Sequence, residues 1–306
     1  MQVREITPGF GAQISDVDIT GPLAPEVEAD LVETVAHYGV AVFRNTGLTD
    51  ATHIFFSRIF GNLWTLPQTG TRPARFDYPH LFEAGNLTRE GTISQDEMAR
   101  SRRKGDRLWH TDSSFTKPRT TYSLLLAHEV TQTGGETHFA DMRAAYEALP
   151  EEMKARIEHL SAEHSYFWSR KAAGFPVTQE QIEAGPRATH RLVHIHPGSG
   201  RKSLYIAAHA MRIPGMEDDE AQALLAELSG FATQDRFTFT HSWQPGDLVI
   251  WDNFATMHRG ADYDDINQRR DLRRTTVFAW PPPPVVLDPR FADRFDAEQF
   301  RAMVSA

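Results

Sequence analysis

The feature that most constrains this chain is a tight His-x-Asp pair, His110-Thr111-Asp112, matched by a distant His258 in Met257-His258-Arg259. Residues i and i+2 of an extended segment project from the same face, so His110 and Asp112 can grip one metal ion together. His258 then has to arrive from a remote segment, which calls for a fold that lays distant stretches side by side. Two imidazoles and one carboxylate are the donor set of a non-haem Fe(II) centre, leaving three octahedral positions for a bidentate co-substrate and dioxygen. The chain has 14 His, so a chance pair making a surface hydrogen bond is the ordinary alternative. The short motif alone leaves the two readings level.

The sequence around His258 favours the metal. Leu248-Val249-Ile250-Trp251 is a short apolar run between Gly246 and Asp252-Asn253, the pattern of a buried strand followed by a turn. His258 comes after that turn, at the start of the next strand or loop. Residues 270–279 can again be read as extended, which sends Arg270, Leu272, Arg274 and Thr276 to one side. An arginine aimed into a sheet interior is costly unless it meets an anion, and its planar fork suits a carboxylate. Two such arginines point to two anionic ligands beside the metal. Arg269 and Arg273 are expected on the opposite, solvated side.

With these residues in place, the chain resembles the Fe(II)/2-oxoglutarate dioxygenases of the taurine and 2,4-dichlorophenoxyacetate type, over roughly Gly11 to Val277. The resemblance is carried by Gly11 to Asp18, Val42-Phe43-Arg44, Phe60-Gly61, Leu108 to Phe115, Gly134-Gly135-Glu136-Thr137, Asp141 to Tyr146, His196 to Lys202, Trp251-Asp252-Asn253 and Arg270-x-x-x-Arg274-Thr275-Thr276. Asp141 to Tyr146 draws it toward the phenoxyalkanoate-degrading branch. The resemblance implies that His110, Asp112 and His258 hold iron and act catalytically. It implies that Thr137 and Arg270 bind the distal carboxylate of 2-oxoglutarate, and that Arg274 faces the acid group of the substrate. The loop between His258 and the arginines is one residue longer than the family pattern. Counting from His258 therefore nominates Arg269 and Arg273, whereas aligning on the strand nominates Arg270 and Arg274; loops absorb an extra residue more easily than strands.

The implied reaction consumes 2-oxoglutarate and O2, releases succinate and CO2, and hydroxylates a small carboxylic acid. On an aryloxyalkanoate-like substrate, the hydroxylated product is a hemiacetal that breaks at the ether. Asp112 argues against halogenation, since halogenating relatives give up that carboxylate. Lysines of the phenoxyacetate enzymes are replaced by Gln68 and Thr92, the taurine-type Asn by Asp106, and the taurine-binding His falls near Leu66. A substrate with one carboxylate and an apolar body therefore fits better than a sulfonate with a free amine, while a sulfonate, a sulfate ester or a natural-product intermediate stays open as the alternative substrate of the same chemistry. From another class, a metal-binding jelly-roll protein without catalysis also stays open, although a structural metal needs no clamp like Thr137, Arg270 and Arg274.

Composition agrees without deciding. The chain of 306 residues is 40% hydrophobic and 24% charged, within the ordinary range for a globular protein. A net charge of −9 argues against a nucleic-acid partner. No run approaches the ~20 apolar residues of a membrane span, no signal peptide opens the chain, and cysteine is absent. The expectation is a cytoplasmic enzyme that needs no membrane, with self-association implied by the resemblance. The basic stretch Arg100 to Arg107 reads as a solvated loop, or alternatively as a lid that draws in acids. His194 and His196 read as structural, and His209 receives no role. Trp109, Phe115 and Trp251 read as core, with one of them free to face substrate.

The predicted fold is mainly β with flanking helices, a double-stranded β-helix (jelly-roll) core over residues 1–284, followed by a tail, 285–306, with helical character. Helices are expected at Pro25–His37, from Thr49-Asp50 to Phe60, at Asp141–Leu149, Pro150–Leu160 and Glu217–Phe231. Strands are expected at Val40–Phe43, Thr120–Ala127, Leu192–His196, Ser203–Ala208, Arg236–Ser242 and Leu248–Trp251.

Overall fold

Alternation along a few central strands separates the interior into layers. In the strand Leu248–Asp252, Leu248 and Ile250 point to one side while Val249 and Trp251 point to the other. Val40–Phe43 and Thr120–Glu129 split in the same way, and both pair antiparallel with Leu248–Asp252. The computed structural model describes residues 1–65, 75–97, 100 and 103–278. The predicted tail and the Pro281 to Pro284 stretch lie outside these residues.

The larger sheet runs in the order Gln2–Thr7, Phe10–Ser15, Val40–Phe43, Leu248–Asp252, Thr120–Glu129, Asp271–Phe278, Asn62–Leu63, with Phe82–Glu83 also pairing on Asp271–Phe278. A smaller sheet runs Thr238–His241, Thr137–Asp141, Thr256–Gly260, and a lone bridge from His110 to His258 extends it. The two sheets face each other. Val42, Leu125, Val249, Trp251 and Leu272 from the larger meet Phe139 and Phe239 from the smaller. This is the jelly-roll core, made from segments far apart in sequence.

Helices cover both outer faces. Leu31 and Val35 of Pro25–Tyr38 and Ile54 and Phe56 of Asp50–Ser57 lie against Ala41, Leu124, Ile250 and Val277. Pro25 pre-sets the first helical turn, and Gly39, at φ 73°, ends that helix in a left-handed cap. Thr49 and Thr52 form a reciprocal capping box on the second helix. Behind the smaller sheet, Leu224, Leu225 and Leu228 of Asp218–Ala232 join Met142, Ala145 and Met257.

The sequence reading found most of the long elements but missed several short ones. Gln2–Thr7 and Phe10–Ser15 form an antiparallel hairpin, and Ser161–Ser165 pairs with Arg187–Arg191. Helices Tyr166–Ala172 and Gln179–Ala184 were also unforeseen, being too short to show a period. Arg236, expected in a strand, lies in a one-turn 3-10 helix at Asp235–Phe237.

The core also buries ionisable groups. Burial pushes His53, His164 and His194 down to about 3 and His80 and His190 down to about 4, with Arg119 lowering the last, His164 and His194 further. Each stays neutral in the fold, whereas the unfolded chain takes up its proton below the ordinary histidine value of 6.5. The folded state is therefore penalised progressively as pH falls from 6.5 toward about 4. Urea unfolding across this range should show stability flat above about pH 6.5 and losing several kcal/mol by pH 4. A flat profile down to pH 4 would show that these imidazoles protonate inside the fold.

Candidate active site

Two backbone hydrogen bonds set the centre. His110 N–H donates to His258 O at 2.9 Å and His258 N–H donates to His110 O at 2.8 Å, bringing the two rings to a centroid separation of 4.2 Å. His110 Nδ1 lies 2.7 Å from Leu108 O, and because a carbonyl only accepts, Nδ1 carries a proton, so in the neutral ring the lone pair belongs to Nε2. His258 stands in the middle of Thr256–Gly260 and packs against Trp251 at 4.7 Å. His110 is extended, but Asp112 opens a turn in which Ser113 takes φ 53°. The pair is thus not carried by one continuous strand as the sequence suggests; the chain leaves the sheet edge at His110 and turns Asp112 back.

His110, Asp112 and His258 form the one metal-capable cluster among the described residues, each offering a donor atom within 4.8 Å of the others. Donors about 2 Å from a shared ion sit roughly 3–4 Å apart, so small adjustments suffice. Burial by itself would raise the Asp112 carboxyl. Arg274 at 2.5 Å, together with His258, His110 and Ser123, outweighs that and holds it well below the usual carboxylate range. Burial, with the neighbouring His110, keeps His258 neutral, far below its ordinary value. A metal ligand must be deprotonated, and Asp112 and His258 fit that requirement before any ion arrives.

A second group of side chains fixes Asp112. Ser123 Oγ donates to Asp112 Oδ2 at 2.7 Å, and Asn253 Nδ2 donates to Ser123 Oγ at 3.1 Å. Asn253 Oδ1 accepts from Asp112 N, Thr111 Oγ and Trp251 Nε1. Trp251-Asp252-Asn253 was visible in the sequence, but Ser123, one serine within an apolar strand, carried no signal.

The cavity beside these ligands is lined by Thr137, Arg270 and Arg274, with Leu125, Trp251 and Tyr263. Arg269 and Arg273 point away. Arg269 makes a two-pronged bond to exposed Glu129, and Arg273 pairs with Asp50 and Asp271 rather than with water. Of the four arginines, it is Arg270 and Arg274, the pair nominated by aligning on the strand, that line the cavity. Arg270 is buried and Nη1 donates to Gly135 O at 2.6 Å, yet it forms no ion pair among the described residues. Gly135 is required here: at φ +76°, a Cβ would sit 2.5 Å from Arg270 Nη1. Thr137 Oγ1 accepts from Trp243 Nε1 at 3.0 Å, which leaves its own O–H free to donate.

The basic stretch is not simply solvated. Arg103 and Arg107 line the cavity, and they pair with Asp265 and Asp262 of the loop after His258. Asp106 lines it as well, whereas Thr92 bonds to Thr88 on an exposed turn. Gln68 and Leu66 lie outside the described residues. His196 donates to buried Asp252 at 2.8 Å, and His194 packs between Tyr205 and Phe254, so neither resembles a metal ligand. His209 contacts Ser114 at 3.1 Å, and Phe115 packs on Tyr166 and His209. Trp109 lies under Arg259 and against the core.

A family model described as "Taurine catabolism dioxygenase TauD, TfdA family" matches residues 2–276. The chain belongs to this family. Within it, an alpha-ketoglutarate-dependent 2,4-dichlorophenoxyacetate dioxygenase of Burkholderia sp. (strain RASC) is 40% identical over 273 residues, covering 88% of this chain and 92% of that one. An (S)-phenoxypropionate/alpha-ketoglutarate-dioxygenase of Sphingobium herbicidovorans is 35% identical over 270 residues, covering 85% of this chain and 87% of that one. The crystal structure of AAD-2 in complex with Mn(II) and N-oxalylglycine superposes with a TM-score of 0.84 at 39% identity, covering 92% of this chain and 99% of that one. The family and the phenoxyalkanoate branch thus agree with the sequence reading.

Removing the Ser123 hydroxyl tests the positioning of Asp112. Ser123→Ala should weaken Mn(II) or Co(II) binding by roughly tenfold, as loss of a bond behind a metal ligand does. Competition against a chelator gives the affinity, and an unaltered value would show that Asp112 needs no such support.

Proposed function

We propose that this chain is an Fe(II)/2-oxoglutarate-dependent dioxygenase that hydroxylates a small carboxylic acid with an apolar, aryloxyalkanoate-like body. On that reading His110, Asp112 and His258 hold the metal, Thr137 and Arg270 bind the distal carboxylate of 2-oxoglutarate, and Arg274 receives the substrate acid. The observation that carries it is Arg270, a buried guanidinium in a cavity beside three metal-capable side chains, with no ion pair to a carboxylate among the described residues. A buried charge left alone is expensive, so a site built this way calls for an anion. Thr137, its hydroxyl proton free, lines the same cavity.

When bound, ferrous iron with 2-oxoglutarate and O2 supplies oxidative decarboxylation to succinate and CO2, coupled to hydroxylation of a substrate C–H bond. The residues supply placement. Arg274, at the cavity wall and 2.5 Å from Asp112, stands where a substrate carboxylate would lie next to the metal. Ala84, Leu125 and Trp251 give that cavity an apolar side, suited to the body of an aryloxy acid and to exclusion of water. Hydroxylation beside an ether oxygen yields a hemiacetal, which breaks to a phenol and an oxoacid. The names of the relatives support a small organic anion as substrate. No finding supports the non-catalytic alternative.

Anaerobic addition of Fe(II) and then 2-oxoglutarate should give a visible charge-transfer band, lost in Asp112→Ala. Arg270→Ala should raise the 2-oxoglutarate Kd by about thirtyfold or more, corresponding to 2 kcal/mol or more for an abandoned charged partner. No band in the wild type, or an undiminished one in Asp112→Ala, would end the enzyme reading. Succinate release across a panel of acids locates the substrate; turnover of sulfate esters alone, with aryloxyalkanoates inert, would move it to the other branch of chemistry.

A further inference from the structure

The loop between His258 and Arg270 carries a residue that neither the motif nor the spacing singled out. Its first residues are seated on the segment that leads into Thr137: Ala261 N–H donates to Glu136 O at 2.8 Å and Gly135 N–H donates to Asp262 O at 3.0 Å. Gly134 permits this approach, because a Cβ at its φ of +73° would meet Asp262 O at 2.2 Å. Tyr263 follows, and its ring lies 5.3 Å from the Arg270 guanidinium carbon. It lines the same cavity as Thr137 and Arg270. The Tyr263 hydroxyl is buried and has no hydrogen-bond partner among the described residues.

A buried hydroxyl without a partner costs about 1–3 kcal/mol, so its retention beside an unneutralised arginine points to a ligand that satisfies both. We propose that Tyr263 is a positioning residue for the co-substrate, donating its phenolic O–H to the same distal carboxylate that Arg270 and Thr137 bind. The proposal rests on the 2-oxoglutarate reading above. A carboxylate offers about four lone-pair sites. Arg270 and Thr137 leave at least one of these for Tyr263, whose ring meanwhile shields the ion pair from water. Burial raises the phenol above its ordinary value, keeping it a donor at neutral pH.

Tyr263→Phe keeps the ring and removes the donor. In the full-length protein loaded anaerobically with Fe(II), titration of the charge-transfer band should give a 2-oxoglutarate Kd about tenfold higher than wild type, the loss expected for one hydrogen bond to a charged group. Mn(II) or Co(II) affinity should stay at the wild-type value, and the unfolding midpoint without co-substrate should stay level or rise, because the variant no longer buries an unpaired hydroxyl. An unchanged Kd overturns the proposal, and so does a parallel loss of metal affinity or midpoint, which would mark Tyr263 as a structural support. Absence of the band in the wild type would instead remove the co-substrate reading itself, so the two failures are distinguishable.

Discussion

The mutual hydrogen bonds between the backbones of His110 and His258 decide where the chemistry can occur. They add residue 110 to the edge of the smaller sheet, opposite the middle of Thr256–Gly260, and so align two imidazoles from distant parts of the chain. Such pairing fixes register, and register fixes the face from which a side chain leaves. Phe139, which lies opposite His258 in the next strand and packs against Trp251, holds the other side of this arrangement. Asp112 completes the set only because the chain turns immediately after His110 and because Asn253 and Ser123 bind the turned segment. The metal-capable cluster is therefore a property of sheet pairing supplemented by two polar anchors.

Charge is distributed unevenly around that cluster. Arg274 already has an anion, since it shares Asp112 with Ser123, whereas Arg270 meets a backbone carbonyl and the Tyr263 ring and forms no ion pair among the described residues. The first arrangement keeps Asp112 ionised and ready for a cation. The second holds positive charge in reserve at a distance from the metal residues. Arg103 and Arg107, tied to Asp265 and Asp262, add positive character at the wall while sparing the cavity a net excess.

How much of this was legible in the chain depends on the kind of signal. Leu248–Asp252 and Pro25–Tyr38 declared themselves through period and punctuation, and Arg270 through an alternation that could be counted from Thr275 and Thr276. The choice between Arg269 and Arg270 turned on where an extra residue is cheaper, and the answer came from treating a strand as rigid and a loop as compliant. Ser123 was illegible because its neighbours are apolar and its partner is only brought to it by tertiary structure. Tyr263 was illegible for a related reason: an aromatic in a polar loop, Ala261 to Arg269, has no period to belong to. The turn at Asp112 was misread as extended because the Ser113-Ser114 that follows can adopt either form, and the hydrogen bonds to Asn253 decide between them.

Four cavity-lining residues, Arg103, His258, Tyr263 and Arg274, each keep a buried polar atom without a hydrogen-bond partner among the described residues. At about 1–3 kcal/mol apiece, such groups would be a substantial fraction of the net stability of a domain. The fold tolerates them because three apolar layers, centred on Leu124, Trp251 and Leu228, lie around the cavity and do not depend on its contents. Register fixes where these side chains start, His258 by the pairing of its strand with Thr137–Asp141 in the smaller sheet and Arg274 by the pairing of its strand with Thr120–Glu129 in the larger, so neither backbone can shift to satisfy these atoms without losing its ladder. The rigidity that aligns the ligand residues is thus the same rigidity that leaves the cavity's polar groups for something outside the chain to complete.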